Sequence, residues 1–310
     1  MGTIALKKKD AFAVVAPTPA PASMPHPSAA ALAESAARMA ARSRAKPAPT
    51  GYRRLQAPDW LLQVIASALG CALFVCAWAA VARFGGGIPG PVAVGNAAVT
   101  IFSDPFYQKG PNDQGIGWNV LSSLKRVGIG FGLAALVGIP LGFMIGRFRF
   151  LSDMAAPMIA ILRPVSPLAW LPIGLLLFKA ANPAAIYAIF ICSLWPMIIN
   201  TAVGVRQVPQ DYLNVARVLN LSEWKVFTKI LFPAVLPYML TGVRLSIGIA
   251  WLVIVAAEML TGGVGIGFWV WDEWNNLKVD HIIIAIFTIG IIGFLLEQAL
   301  MLIARRFSYS

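Results

Sequence analysis

An all-α integral membrane bundle of six transmembrane helices is the fold this sequence predicts, and three observations predict it. Of the 310 residues, 58% are hydrophobic and 12% charged, against roughly a quarter charged in an average soluble domain. The apolar residues gather in six long runs, at 61–83, 127–146, 155–178, 184–205, 236–260 and 282–303. Each is near the ~20 residues a helix needs to cross a hydrocarbon core. None alternates in twos as a membrane barrel strand must, so the backbone groups are satisfied inside helices.

Charge orients the bundle. With the N-terminus in the cytoplasm, the inner segments hold nine Lys and Arg in the tail together with Arg147, Arg149, Arg206, Arg217, Lys225, Lys229, Arg305 and Arg306. The outer segments hold only Arg83, Lys109, Lys179 and Lys278. Positive charge inside places both termini in the cytoplasm. The net charge of +12 follows from this asymmetry and calls for no nucleic acid.

Residues 1–59 are rich in Ala, Pro and Ser and lack the apolar core of a signal peptide. They have the composition of a disordered tail, leaving 60–310 as the membrane domain. Lys7 to Lys9, Arg53 and Arg54 suit anionic head groups, although a solvated tail is the simpler reading. In the first and fourth spans, Cys71, Cys76 and Cys192 read as packing thiols. Two histidines, His26 and His281, are too few to assemble a metal cluster.

The third span is interrupted by Pro164, Pro167 and Pro172, which remove helix donors and disfavour helical backbone before them. Broken helix at membrane depth survives where it lines a cavity or is packed by protein. Arg163 stands just before the break, Arg126 ends the polar approach to the second span, and Arg244 and Glu258 lie in the fifth. Ionisable groups inside a bilayer are expensive and point to function. Arg163, Pro164, Pro167, Arg244, Glu258 and Arg126 are therefore the candidates for a translocation pathway or gate. The alternative is that the cations snorkel to head groups or pair with Asp153 and Glu258.

Between the fourth and fifth spans, residues 210–233 read as an amphipathic hairpin. Tyr212, Val215, Ala216 and Leu219 recur at helical spacing on one face. Asn220 sits where a left-handed cap is wanted, and Ser222 caps a second helix with Glu223 at its positive end. Trp224, Phe227 and Leu231 form the second apolar stripe, and Pro233 is expected to end it. After the fifth span, the Gly-rich segment 261–276 carries Trp269, Trp271 and Trp274. These can rim an outer mouth that meets a partner, or belong to an interfacial aromatic belt. No Gly-rich phosphate loop ending in Lys-Ser/Thr is present, so energy must come from another chain.

At this hairpin the chain resembles the permease subunits of bacterial ATP-binding-cassette importers. Their cytoplasmic loop reads Glu-Ala-Ala, three residues, Gly, nine residues, Ile, one residue, Leu-Pro. Here the matching positions are Asn214, Val215, Ala216, Asn220, Ile230, Phe232 and Pro233. The spacing is kept while Glu is replaced by Asn214, the second position by Val215 and Gly by Asn220, so the resemblance implies the helical knob and not a salt bridge from the family's Glu. The resemblance covers about 60–305, and it narrows to the nitrate, cyanate, bicarbonate and sulfonate branch through 106–118, 162–172, 195–211 and 256–271. It is most similar to the nitrate permeases, with cyanobacterial bicarbonate permeases close by.

The resemblance implies a type I importer fold in the bacterial inner membrane and a role in moving nitrate, nitrite or a related anion. It implies a second permease copy, most simply in a homodimer, and two cytoplasmic ATPase subunits that bind ATP and Mg. A periplasmic or lipid-anchored binding protein would meet Trp269, Trp271 and Trp274. Tyr212, Asn214, Val215, Ala216, Leu219, Asn220, Ser222, Glu223 and Trp224 would couple to the ATPase. The chain holds no cofactor and is no enzyme by itself. Two other classes compete: an intramembrane enzyme, for which Glu258 and Glu297 lack a partnering His in the spans, and a secondary carrier, which would show internal repeats.

Overall fold

The computed structural model describes residues 59–307. All but the last residue of the expected tail at 1–59 lies outside them. The chain divides between Ile65 and Ala66; before that point only the start of the first helix is described. In order, the helices are α1 (Asp59–Phe84), α2 (Pro91–Ser103), α3 (Ile116–Arg147), α4 (Arg149–Leu162), α5 (Pro167–Phe178), α6 (Ala181–Gln207), α7 (Gln210–Val218) and α8 (Glu223–Val226). A π turn (Phe227–Leu231) leads into α9 (Phe232–Thr261), followed by α10 (Ile266–Asn275) and α11 (Val279–Phe307).

Five helices are long and apolar enough to cross a membrane, and a bent pair makes a sixth if counted as one span. Three expected spans are corrected. The second begins at Ile116 rather than Val127 because the polar residues that hid its first turns, Asn119, Ser123 and Arg126, find partners inside the protein. The third is not one helix: α4 and α5 meet at a 100° bend across residues 163–166. Pro164 lies in the bend and Pro167 opens α5, where the missing N–H is harmless. Pro172, expected to help break the span, sits inside α5 without ending it.

The fifth is the largest change. Helical structure runs unbroken from Glu223 to Thr261 over 39 residues, so Pro233 does not end the second hairpin helix. The wider π turn just before it accounts for this. The Phe232 N–H reaches Phe227 O, five residues back, and an expanded turn displaces the carbonyls a proline ring would strike. At 1.5 Å per residue the rod is about 58 Å long, roughly twice a hydrocarbon core.

The centre is a layer of α3, α6 and α9, with α6 packed extensively on both neighbours. Close approach of α3 is set by a stripe of small residues. A Cβ at Gly130 would meet Ile189, at Gly138 Met197, at Gly142 Thr201 and at Gly146 Val205. Small residues let helices approach where lipid supplies no hydrophobic drive. Ser246 Oγ donates to Ser193 O at 2.7 Å and ties α9 to α6. Two apolar clusters result, one reaching α10 and α11 and one under the hairpin. The span of α1 buries none of its side chains within the chain.

Candidate functional site

The hairpin is a packed corner of the bundle. Asn220 adopts φ 46°, as the expected left-handed cap requires, and the Leu221 N–H closes onto Ala216 O at 3.0 Å. Ser222 Oγ accepts the Lys225 N–H at 3.4 Å, capping α8 as expected. Arg217 donates to Asn214 Oδ1 at 3.2 Å.

The expected apolar face is corrected at one position. Ala216 is only 2% exposed and packs with Leu213, Val226, Leu231 and Val235 in the core. Tyr212, Val215 and Leu219 stand exposed beside it, with Trp224 at 72%. The helix has apolar residues all around its inner half, so Leu213 and Ala216 take the core and the others are left out. Trp224 stacks on Phe227 with ring centroids 5.8 Å apart. A cavity of ≈ 710 Å³ opens beside it, lined by Phe143, Arg147, Trp224, Phe227 and Phe232. Arg147 reaches Glu223 across its rim at 3.8 Å.

Arg163, exposed at the α4–α5 bend, faces a second cavity of ≈ 510 Å³ with Trp195 and Asn200 of α6 and Leu245 and Leu252 of α9. Among the described residues no carboxylate pairs with it, and Asp153 instead sits 3.8 Å from Arg149. Arg244 does not join Arg163: it turns to α11, where its Nε donates to Glu297 Oε1 at 2.8 Å. Its expected alternative partner, Glu258, is bound to Arg126. The four charged pathway candidates therefore separate into Arg163 at a cavity, Arg244 in a half-exposed pair with Glu297 and the enclosed pair of Arg126 and Glu258, while Pro164 and Pro167 stay at the bend. Asn200 was missed, because a lone amide in an apolar helix gives no periodic signal.

The enclosed pair is the centre of a polar cluster. Glu258 is 1% exposed, accepts from Arg126 at 2.5 Å, from Ser123 Oγ at 2.8 Å and from the Gly267 N–H at 3.0 Å. Ser123 Oγ accepts the Ile266 N–H at 3.0 Å, and Asn119 Oδ1 accepts the Gly265 N–H at 2.9 Å. Arg126 Nε donates to Asn182 Oδ1 at 2.8 Å. The expected glycine-rich loop is thus a short linker into a helix, α10. Its three tryptophans do not act together. Trp269 is buried and stacks on His281 at 6.1 Å, so it is withdrawn from any docking surface, while Trp271 and Trp274 remain exposed.

The neighbouring loop at 104–115 faces the same end. Burial, then the Asp113 carboxylate, hold the Tyr107 phenol above its ordinary range, with smaller contributions from Glu273 and Asp272 of α10. Among the described residues no three His, Cys, Asp or Glu side chains converge on a possible metal position.

Known proteins sharing this architecture have been described. A chain of the MetNI methionine ABC transporter, in an inward facing conformation, superposes with a TM-score of 0.55 at 14% identity, covering 62% of this chain and 95% of that one. The nitrate import permease protein NrtB of Synechocystis sp. is 47% identical over 237 residues, 76% of this chain and 86% of its own length. The bicarbonate transport system permease protein CmpB of Synechococcus elongatus is 43% identical over 255 residues, 81% of this chain and 91% of its own. Residues 138–309 match the family described as binding-protein-dependent transport system inner membrane component. With the hairpin, the bent span and the continuous rod all inside the matched regions, this chain belongs to that family of multi-pass inner membrane permeases.

Proposed function

We propose that this chain is the membrane subunit of an ATP-driven importer of nitrate, working as a homodimer with two ATPases that hold ATP and Mg, and receiving its anion from a binding protein. Both termini and the hairpin lie in the cytoplasm in this reading, as the distribution of Lys and Arg requires. The observation that carries it is the hairpin surface. Tyr212, Val215, Leu219 and Trp224 stand exposed on a corner that is otherwise well packed, and large exposed aromatics beside a cavity are the anchors of hot spots. Trp271 and Trp274 offer the corresponding surface to the binding protein. Nitrate is favoured by a nitrate import permease that is 47% identical over 237 residues. A bicarbonate importer is the second reading, from bicarbonate permeases that are 43% identical over 255 residues and 48% identical over a shorter 202.

Moving one negative charge into a cell at 100 mV, negative inside, costs about 2.3 kcal/mol before any gradient, which is the work ATP supplies. Arg163 contributes positive potential at the cavity between the bend, α6 and α9, attracting an anion without enclosing it. The test is uptake of labelled nitrate and bicarbonate into proteoliposomes carrying the assembled complex. Arg163→Gln is expected to lower uptake of the transported anion about tenfold or more while the complex still assembles, and Arg163→Lys to retain part of it if charge is what matters. Parental uptake in the Gln variant makes Arg163 a head-group anchor.

A further inference from the structure

The enclosed cluster joins three elements around Glu258, with α6 touching its edge through Asn182: Asn119, Ser123 and Arg126 come from α3, Glu258 from α9, and the amides of Gly265, Ile266 and Gly267 from the start of α10. It leaves no room for change. A Cβ at Gly265 would collide with the Glu258 carboxylate, and one at Gly267 with Val255 O of the backbone. Well-packed apolar side chains generally stabilise such a position as well as a buried ion pair does. Stability alone therefore gives no reason for charges here, whereas fixing the relative position of three elements does.

Two further observations show what position is fixed. Glu258 lies near one end of the 39-residue rod whose other end, Glu223, is in the hairpin. The same α3 that supplies Arg126 also supplies Arg147, 3.8 Å from Glu223. The two helices are thus bridged at both ends. Between rod and α10 lie Gly262 and Gly263, at φ 75° and 87°, a linker with the backbone freedom to swivel.

We infer that Glu258 is a positioning residue: its carboxylate locks the start of α10 to the α3–α9 pair, so that a displacement of the hairpin moves the Trp271 and Trp274 surface instead of being absorbed at Gly262 and Gly263. The role rests on the hairpin docking proposed above. Arg126 neutralises the carboxylate and Ser123 shares it, so neither is part of the anion pathway.

The test uses the full permease in nanodiscs, with Cys71 and Cys76 replaced by Ser, Cys192 by Ala, and nitroxides on Leu133→Cys of α3 and Leu277→Cys beyond α10. The distance distribution is read without ATPase; the ratio of ATP hydrolysis with loaded binding protein to that without it is read in the assembled complex. Glu258→Gln is expected to broaden the distribution and to lower the ratio about tenfold. Pairing it with Arg126→Gln removes the uncompensated charge. A purely structural pair predicts that this double variant regains both the narrow distribution and the ratio, and that result overturns the inference, as does a single variant that keeps both. If Glu258→Gln fails to assemble, Ser123→Ala, which keeps the ion pair and releases the Ile266 N–H, decides: broadening with a lowered ratio supports the lock, and no change in either overturns it. Should hairpin variants fail to release the ATPase, the docking reading falls while the distance distribution still reports on the lock.

Discussion

The two ends of the long rod carry short helices of similar length, α7 and α10, held by different forces. At the hairpin, an apolar core of Leu213, Ala216, Val226 and Leu231 does the holding, and the one ion pair there among the described residues, Arg147 to Glu223, is long and largely exposed. Such a pair contributes little, at most about 1 kcal/mol. At the far end an enclosed carboxylate, two side-chain hydrogen-bond relays and two collision-limited glycines fix α10. The hairpin leaves Trp224 and Leu219 outside, whereas the α10 end takes Trp269 inside. A segment with the surface proposed here for gripping a partner keeps its large side chains out and is built on forgiving contacts; one that holds a fixed pose turns them in and is built on unforgiving ones.

That contrast can be broken by substitution. The largest effect is expected at Gly267, where Ala would drive a Cβ into the Val255 carbonyl. The variant should lose about 3–5 kcal/mol or fail to fold, seen as loss of the monodisperse peak after extraction. Next, Trp269→Ala should lower stability by about 3–5 kcal/mol, whereas Trp271→Ala should leave the thermal midpoint near parental and weaken stimulation by the loaded binding protein. Equal effects from both would erase the distinction between inner and outer tryptophan.

At the hairpin, Ala216→Asp should destabilise the permease itself by about 3 kcal/mol, since it buries an unpaired charge, and not merely release a partner. Leu219→Ser should change stability by less than about 0.5 kcal/mol and instead abolish co-purification of the ATPase. A stable Ala216→Asp permease would place this face outward after all. The smallest effect is at Tyr107. Its phenol is held above the ordinary value of 10.0, so the native state keeps the proton longer than the unfolded chain. Its contribution is complete below pH ~10 and declines as pH rises through the raised value. Tyr107→Phe should flatten the alkaline limb of a melting-temperature profile by about 1 °C or less per pH unit.

The long apolar runs at 61–83, 184–205 and 282–303 were legible as spans because nothing in them competes with hydropathy. The start of α3 was not, since Asn119, Ser123 and Arg126 look like loop residues until Glu258, 132 residues away from Arg126, accepts from Ser123 and Arg126 and the Gly265 N–H donates to Asn119. Hairpin turn chemistry was readable at Asn220 and Ser222, where the requirement is local. Which face of α7 points inward was not, because Tyr212, Val215, Leu213 and Ala216 are all apolar and only the neighbouring helices choose among them. Arg126 and Glu258 were each singled out as unusual, but pairing is a long-range fact that spacing does not encode. The helix α10 hid behind glycines that signal turns, although their smallness serves close contact at Gly265 and Gly267.

The π turn at Phe227–Leu231 gives the rod a phase. One residue more or fewer in an α-helix rotates everything beyond it by about 100° and shifts it by about 1.5 Å. An expanded turn takes up an extra residue locally, without that full rotation, and so keeps the azimuth at which Trp224 leaves the bundle in register with the azimuth at which Glu258 enters it. Loss of a single residue between Phe227 and Leu231 would close it to an ordinary α turn and bring the Pro233 ring against the carbonyl four residues back, so that the rod would kink where it now runs through.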